Sequence, residues 1–138
     1  MTHTSFSKET YLAFKQNGRP GPIHMLNLVR LRDKADYPDG REATGRQAYD
    51  AYSAGSAAVL KDLGGSIVWR GCFEQMVIGP QEEQWDICFI AEYPSVKAFT
   101  DMLKIPAYRE AMAHRQAGVA DSRLVRLAPM VAGDSFGD

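Results

Sequence analysis

Apolar and polar residues alternate with period two along residues 21–32, GPIHMLNLVRLR. The pattern predicts a strand over about 23–31 with two distinct faces. Ile23, Met25, Asn27 and Val29 share one face; His24, Leu26, Leu28 and Arg30 share the other. Upstream, Ser7 caps a short helix that runs to about Gln16, with Tyr11, Leu12 and Phe14 as its apolar side. Asn17-Gly18 stops that helix. Residues 32–44 form a long polar loop with a turn at Asp39-Gly40. Thr44 then opens T-G-R-Q, a capping-box pattern. The helix that follows reaches about Leu63, with Tyr49, Tyr52, Val59, Leu60 and Leu63 in one stripe before Gly64-Gly65.

The next segment predicts a hairpin. SIVWRGCFEQMVIG is its first strand, bent at Gly71, PQEE is the turn, and QWDICFIAEY is the second strand. Trp85, Ile87, Phe89 and Ala91 fall on one side of that second strand, with Cys88 and Ile90 on the other. Ser95 caps a helix that buries Val96, Phe99, Met102 and Leu103. Ile105-Pro106 breaks it, and a second helical piece carries Tyr108, Met112 and Arg115 on one face as far as about Ala117. Residues 122–128 are a last strand.

The order is therefore β-α-β-β-α-β with an extra N-terminal helix. This is the split βαβ arrangement: an α+β, ferredoxin-like fold with a four-stranded antiparallel sheet and its helices on one face. At 138 residues it is one domain, with core 22–129, a helical extension over 1–20 and a tail over 130–138. Both faces of the sheet are apolar, yet the helices cover only one. The uncovered face needs a partner, and a second copy placed sheet to sheet would make a homodimeric α/β barrel.

Charge narrows the function classes. The formal net charge is −1 and no basic run occurs, which speaks against nucleic acid or an anionic membrane surface as partner. No apolar run is long enough to span a bilayer, and the N-terminus MTHTSFSKET lacks a signal-peptide core, so a cytoplasmic location is expected. Cys72 and Cys88, without CxxC spacing, read as buried free thiols. The three histidines show no HxH, HxxxH or HExxH spacing, so no metal site is expected. No GxGxxG, P-loop or GxSxG motif is present, and no cofactor is expected.

Six segments together resemble a known family: MLNLVRL at 25–31, YPDG…TGRQAYDAY across 37–52, LGG at 63–65, EYPSVKAF at 92–99, YREAMAHR at 108–115 and ADSRLVRL at 120–127. They are similar to the family called domain of unknown function 1330, over about residues 22–128. The resemblance implies a dimeric α/β barrel. The wider superfamily holds cofactor-free monooxygenases, isomerases, dehydratases and haem-dependent dismutases. It implies architecture and no single reaction.

The candidate ligand-binding residues are Asn27, Arg30, Tyr49, Tyr52, Trp69, Trp85, Tyr108, His114 and Arg115. Asn27 is expected to point into the barrel, with Leu26 and Leu28 on the helix side. A buried amide needs partners, so it either serves the strand itself or marks a pocket. Tyr49 and Tyr52 suit the core as well as a pocket. Arg115 would pair with Asp121, Glu92 or a helix carbonyl, or face a cleft and bind a carboxylate. Glu92 is an exposed strand-end carboxylate or a general base. Three readings stay open. The first is a cofactor-independent oxygenase, isomerase or lyase acting on a small organic molecule, with the 32–44 loop as a lid. The second is a non-catalytic small-molecule binder, and the third is a purely structural dimer.

Overall fold

The computed structural model describes residues 2–137. Its elements run α1 Lys8–Gln16, β1 Ile23–Leu31, α2 Gly45–Asp62, β2 Ser66–Gly71, β3 Ile87–Tyr93, α3 Val96–Met102, α4 Pro106–Gly118 and β4 Val119–Leu127. The sheet order is β2-β3-β1-β4, with every neighbouring pair antiparallel. This is the ferredoxin-like arrangement, with α1 added in front.

The local signals act as expected. Ser7 accepts from the Thr10 N–H at the start of α1. Thr44 and Gln47 complete a reciprocal capping box on α2, and Ser95 caps α3. Close packing of α2 on α4 depends on absent side chains. A Cβ on Gly118 would lie 2.8 Å from the Gly45 carbonyl oxygen and 3.0 Å from the Ala48 Cβ. One on Gly45 would fall on the Arg32 carbonyl, because the start of the 32–44 loop passes against the first turn of α2.

The assignment of faces is the reverse of the expected one. Ile23 and Met25 pack with Val59 of α2, Phe99 and Met102 of α3 and Tyr108 of α4; Val29 packs with Tyr49. The Met25–Asn27–Val29 face is therefore the helix side. Leu26 and Leu28, paired across with Ile90 and Cys88, lie on the open side. Both faces of β1 are apolar, so alternation fixes which residues share a face but not which face the helices take.

The hairpin also differs. β2 stops at Gly71 and β3 starts at Ile87, so Cys72–Asp86 is a long loop and not a strand pair closed by PQEE. The Asp86 N–H donates to the Val29 carbonyl at 2.7 Å, and its carboxylate accepts from the Leu31 N–H at 2.7 Å. Pairing with β1 begins there. The segment before it folds on itself: Gln81 donates to the Met76 and Gly79 carbonyls. Val77 and Ile78, β-branched residues that suit a strand, are turned outward, Ile78 with 93% of its surface exposed. β4 begins at Val119, three residues before the expected start.

The N-terminal segment covers the β4 edge. The His3 N–H donates to Asp121 at 2.8 Å, and the Ser122 hydroxyl donates to the His3 carbonyl at 2.7 Å. Edge strands left bare invite further pairing, and this segment occupies part of that edge. No helix among the described residues is long and apolar enough to cross a membrane. Both cysteines are free; Cys88 is buried as expected, but Cys72 is exposed. Burial, then the neighbouring Cys72 and Asp86, push the Cys88 thiol up from its ordinary value.

Candidate functional site

The candidates fall into three places. The first is the helix-covered face. Tyr49 and Tyr52 from α2 meet Tyr108 from α4, with the Tyr52 and Tyr108 hydroxyls 2.9 Å apart. The Tyr49 and Tyr52 rings stand 5.3 Å apart, and those of Tyr52 and Tyr108 6.0 Å. Burial pushes the phenols of Tyr49, Tyr93 and Tyr108 well above their ordinary value, and the neighbouring Tyr52 hydroxyl adds to this in each case. The charge of Arg115 pulls against that rise at Tyr49 and Tyr108.

Asn27 belongs to this face. Its strand neighbours Met25 and Val29 pack into the two core clusters that Tyr52 joins. The amide nitrogen donates to the Met25 carbonyl of its own strand at 3.0 Å. Asn27 is half-buried and serves its own backbone rather than another candidate. Arg115 donates to the Thr4 carbonyl at 3.2 Å. None of its three expected partners, Asp121, Glu92 or a helix carbonyl, takes that bond; the N-terminal segment does.

The second place is the 32–44 loop. The Tyr37 hydroxyl lies 2.7 Å from His114 Nδ1. The Asp36 and Arg32 N–H groups donate to the Ala117 and Gly118 carbonyls. The loop is thus tied to the C-terminal end of α4, and His114 is occupied in holding it. Tyr37 also carries the Arg41 guanidinium 4.4 Å from its ring centre.

The third place is a cleft of about 540 Å³ between the end of β1 and the Cys72–Asp86 loop. Arg30 and Trp85 line it with Asp33, Glu74, Gln75 and Gln84. Trp85 precedes β3, and its ring lies 5.1 Å from the Arg123 guanidinium. Arg123 pairs with Glu83 at 2.8 Å and with Asp121 at 2.9 Å. Arg30 reaches Asp121 only at 3.8 Å. Burial alone would raise the Asp121 carboxyl, but hydrogen bonds from the His3 N–H, Arg123 and the Ser122 N–H outweigh it and hold it below the usual range. Arg123 therefore holds Asp121 more closely than Arg30 does.

Trp69 stands apart from all three places. It is 49% exposed on β2, opposite Ile90 on the open face, with its ring over Gly71. On the same face, His24 Nε2 lies 3.0 Å from Glu92, so the strand-end carboxylate has a partner. No group of three or more metal-ligating side chains occurs among the described residues. Sequence reasoning passed over the cleft's Glu74, Gln75 and Gln84 because that stretch reads as strand and turn; Asp33 lies in the 32–44 loop, read as a lid without singling out that residue. The dense polar run EEQ at 82–84 was the one available signal.

Comparison with known proteins agrees with the architecture. The RPA0582 protein of Rhodopseudomonas palustris, of unknown function, is 57% identical over 96% of this chain and all of its own, with a TM-score of 0.93. A methylated RPA0582 protein gives 59% identity over 97% of this chain and all of its own, with a TM-score of 0.94. A dimeric protein of unknown function and ferredoxin-like fold from Bacteroides fragilis is 13% identical, covering 77% of this chain and 94% of its own, with a TM-score of 0.48. No curated protein matches. The sequence model for Domain of unknown function (DUF1330) matches residues 41–127, from the end of the long loop through β4. With well over half of its length inside that match, the chain belongs to the DUF1330 family.

Proposed function

We propose that the protein is a homodimeric small-molecule-binding domain whose ligand sits in the cleft between Arg30, Trp85 and the Cys72–Asp86 loop. The ligand class is a small organic acid that also carries hydroxyl or amino groups. The observation that carries this reading is the cleft itself. Its volume of about 540 Å³ lies within the range of small-ligand sites, and Arg30 lines it with only a long, 3.8 Å contact to Asp121. A guanidinium binds a carboxylate through two parallel hydrogen bonds. Asp33, Glu74 and the glutamines would accept from or donate to the ligand's hydroxyl or amino groups.

The dimer is part of the same reading. Leu26, Leu28, Ile90 and Trp69 form an apolar band with Val125 and Leu127 on the side the helices leave open. A second copy of the same face would cover it and close a barrel beside the cleft. A cytoplasmic setting, where Cys72 and Cys88 stay reduced, also belongs to the proposal.

Titration calorimetry with a panel of hydroxy and amino acids tests the site, each acid set against its amide. The acid is expected to bind and the amide to bind at least about tenfold more weakly, with Arg30→Ala removing the difference. Equal binding of acid and amide, or an unchanged Arg30→Ala variant, would overturn the assignment. An isomerase or lyase acting on the same acid would draw its base from Asp33 or Glu74. Loss of the acid on prolonged incubation would reveal turnover.

A further inference from the structure

A second groove forms where the N-terminal extension, which precedes the matched family region, meets Leu103, Lys104 and Arg109 within that region. α1 packs against the bend between α3 and α4 and leaves a groove of about 360 Å³. Its apolar lining is Phe6, Tyr11 and Leu103. The Phe6 and Tyr11 rings stand 5.8 Å apart, and Phe6 meets Phe99 of the core edge-on at 6.2 Å, which fixes the floor. Its charged lining is Lys8, Lys104 and Arg109, and no carboxylate lines the groove. None of the three forms an ion pair among the described residues, although Asp39, Glu83, Glu92, Asp101 and Asp121 all do. Lys15 adds a fourth cation, 4.8 Å from the centre of the Tyr11 ring.

Three cations lining a groove with an aromatic floor, in a chain of net charge −1, are a local excess that the overall composition does not explain. We propose that this groove binds an organic anion with an aromatic or other flat apolar body. The body would lie against Phe6, Tyr11 and Leu103, and its carboxylate or sulfonate would meet Lys104 and Arg109, with Lys8 at the rim. Arg109 supplies the planar fork and the lysines supply point charge. The acid cleft at Arg30 takes no part, so either site can fail without the other.

Nitrogen-proton correlation spectra of the full chain test this, with 2-naphthoate, neutral 2-naphthalenemethanol and inorganic phosphate as probes. Naphthoate is expected to give saturable shifts at Ser7, Tyr11, Lys104 and Arg109. The neutral alcohol and phosphate are each expected to bind at least about tenfold more weakly, and added salt to weaken naphthoate. The double variant Lys104→Gln, Arg109→Gln is expected to lose naphthoate about tenfold or more while its remaining spectrum stays folded, with Arg30→Ala leaving this site unchanged. Equal binding of the alcohol would overturn the anionic requirement, and equal binding of phosphate the aromatic one. No saturation, shifts confined to residues elsewhere, or an unaffected double variant would overturn the site.

Discussion

The sheet's helix side is finished within one chain. Ile23, Met25, Ala91 and Tyr93 are nearly or fully buried there under Phe99, Met102 and Tyr108, and Val29 under Tyr49. The open side is made from the alternate residues of the same strands, and it keeps Trp69, Val125 and Leu127 about half exposed. Its polar residues gather at the two ends of the strands, the His24–Glu92 pair at one and Arg30, Asp121 and Arg123 at the other. The two sides are similarly apolar, so composition does not separate them. What separates them is that α2, α3 and α4 return to one side only. The apolar area of the first side stabilises the single chain, and that of the second stays partly exposed.

The largest expected effect comes from breaking the finished side. Phe99 meets Tyr93, Phe14 and Phe6 in one aromatic group. Phe99→Ala is expected to cost about 3–5 kcal/mol in chemical denaturation. A matching truncation on the open side, Val125→Ala, is expected to change the stability of a single chain by less than about 0.5 kcal/mol. Similar losses from both would erase the contrast.

A smaller effect belongs to the Tyr52–Tyr108 contact. Tyr108→Phe leaves the ring and removes one hydroxyl, and is expected to cost about 1–2 kcal/mol. The same group sharpens the contrast at alkaline pH. Tyr49, Tyr93 and Tyr108 stay protonated in the fold above their ordinary value of 10.0, whereas the unfolded chain ionises there. Stability is therefore expected to fall as pH rises above about 10. Tyr108→Phe should flatten part of that decline in denaturation curves taken across the range.

The smallest effect sits at the acid end. The Asp121 carboxylate is held below its ordinary value of 3.8, so its contribution is present above that pH and is lost as pH falls through the folded value. Asp121→Asn is expected to destabilise at neutral pH, by less than the loss at Phe99. The gap from the unsubstituted protein should shrink below about pH 4.

Much of this fold was legible in the chain. The capping residues Ser7, Thr44 and Ser95 start their helices as expected, and the element order fixed the topology. What could not be read was the outcome of choices between similar alternatives. Leu26 and Met25 are equally apolar, so their alternation carries no information about which meets the helices. Val77 and Ile78 are β-branched and suit a strand, but the turn closed by Gln81 and the anchoring of Asp86 on β1 override that preference. Asn27 was legible as an unusual amide in an apolar strand, yet its partner is its own backbone. The cleft at Arg30 was only half legible, because Glu74, Gln75 and Gln84 come to it through a loop that reads as strand and turn. Arg115 binds Thr4, a contact 111 residues away in sequence that no local pattern announces.

The most direct test of the central claim, that the open face is an interface between two copies, is sedimentation equilibrium on the unsubstituted chain and on Trp69→Asp, Val125→Asp. The unsubstituted protein is expected to sediment at twice the mass of one chain. The double variant is expected to sediment as a folded single chain with an unchanged circular dichroism spectrum. An unsubstituted protein that stays monomeric at high concentration, or a double variant that still dimerises, would contradict the claim.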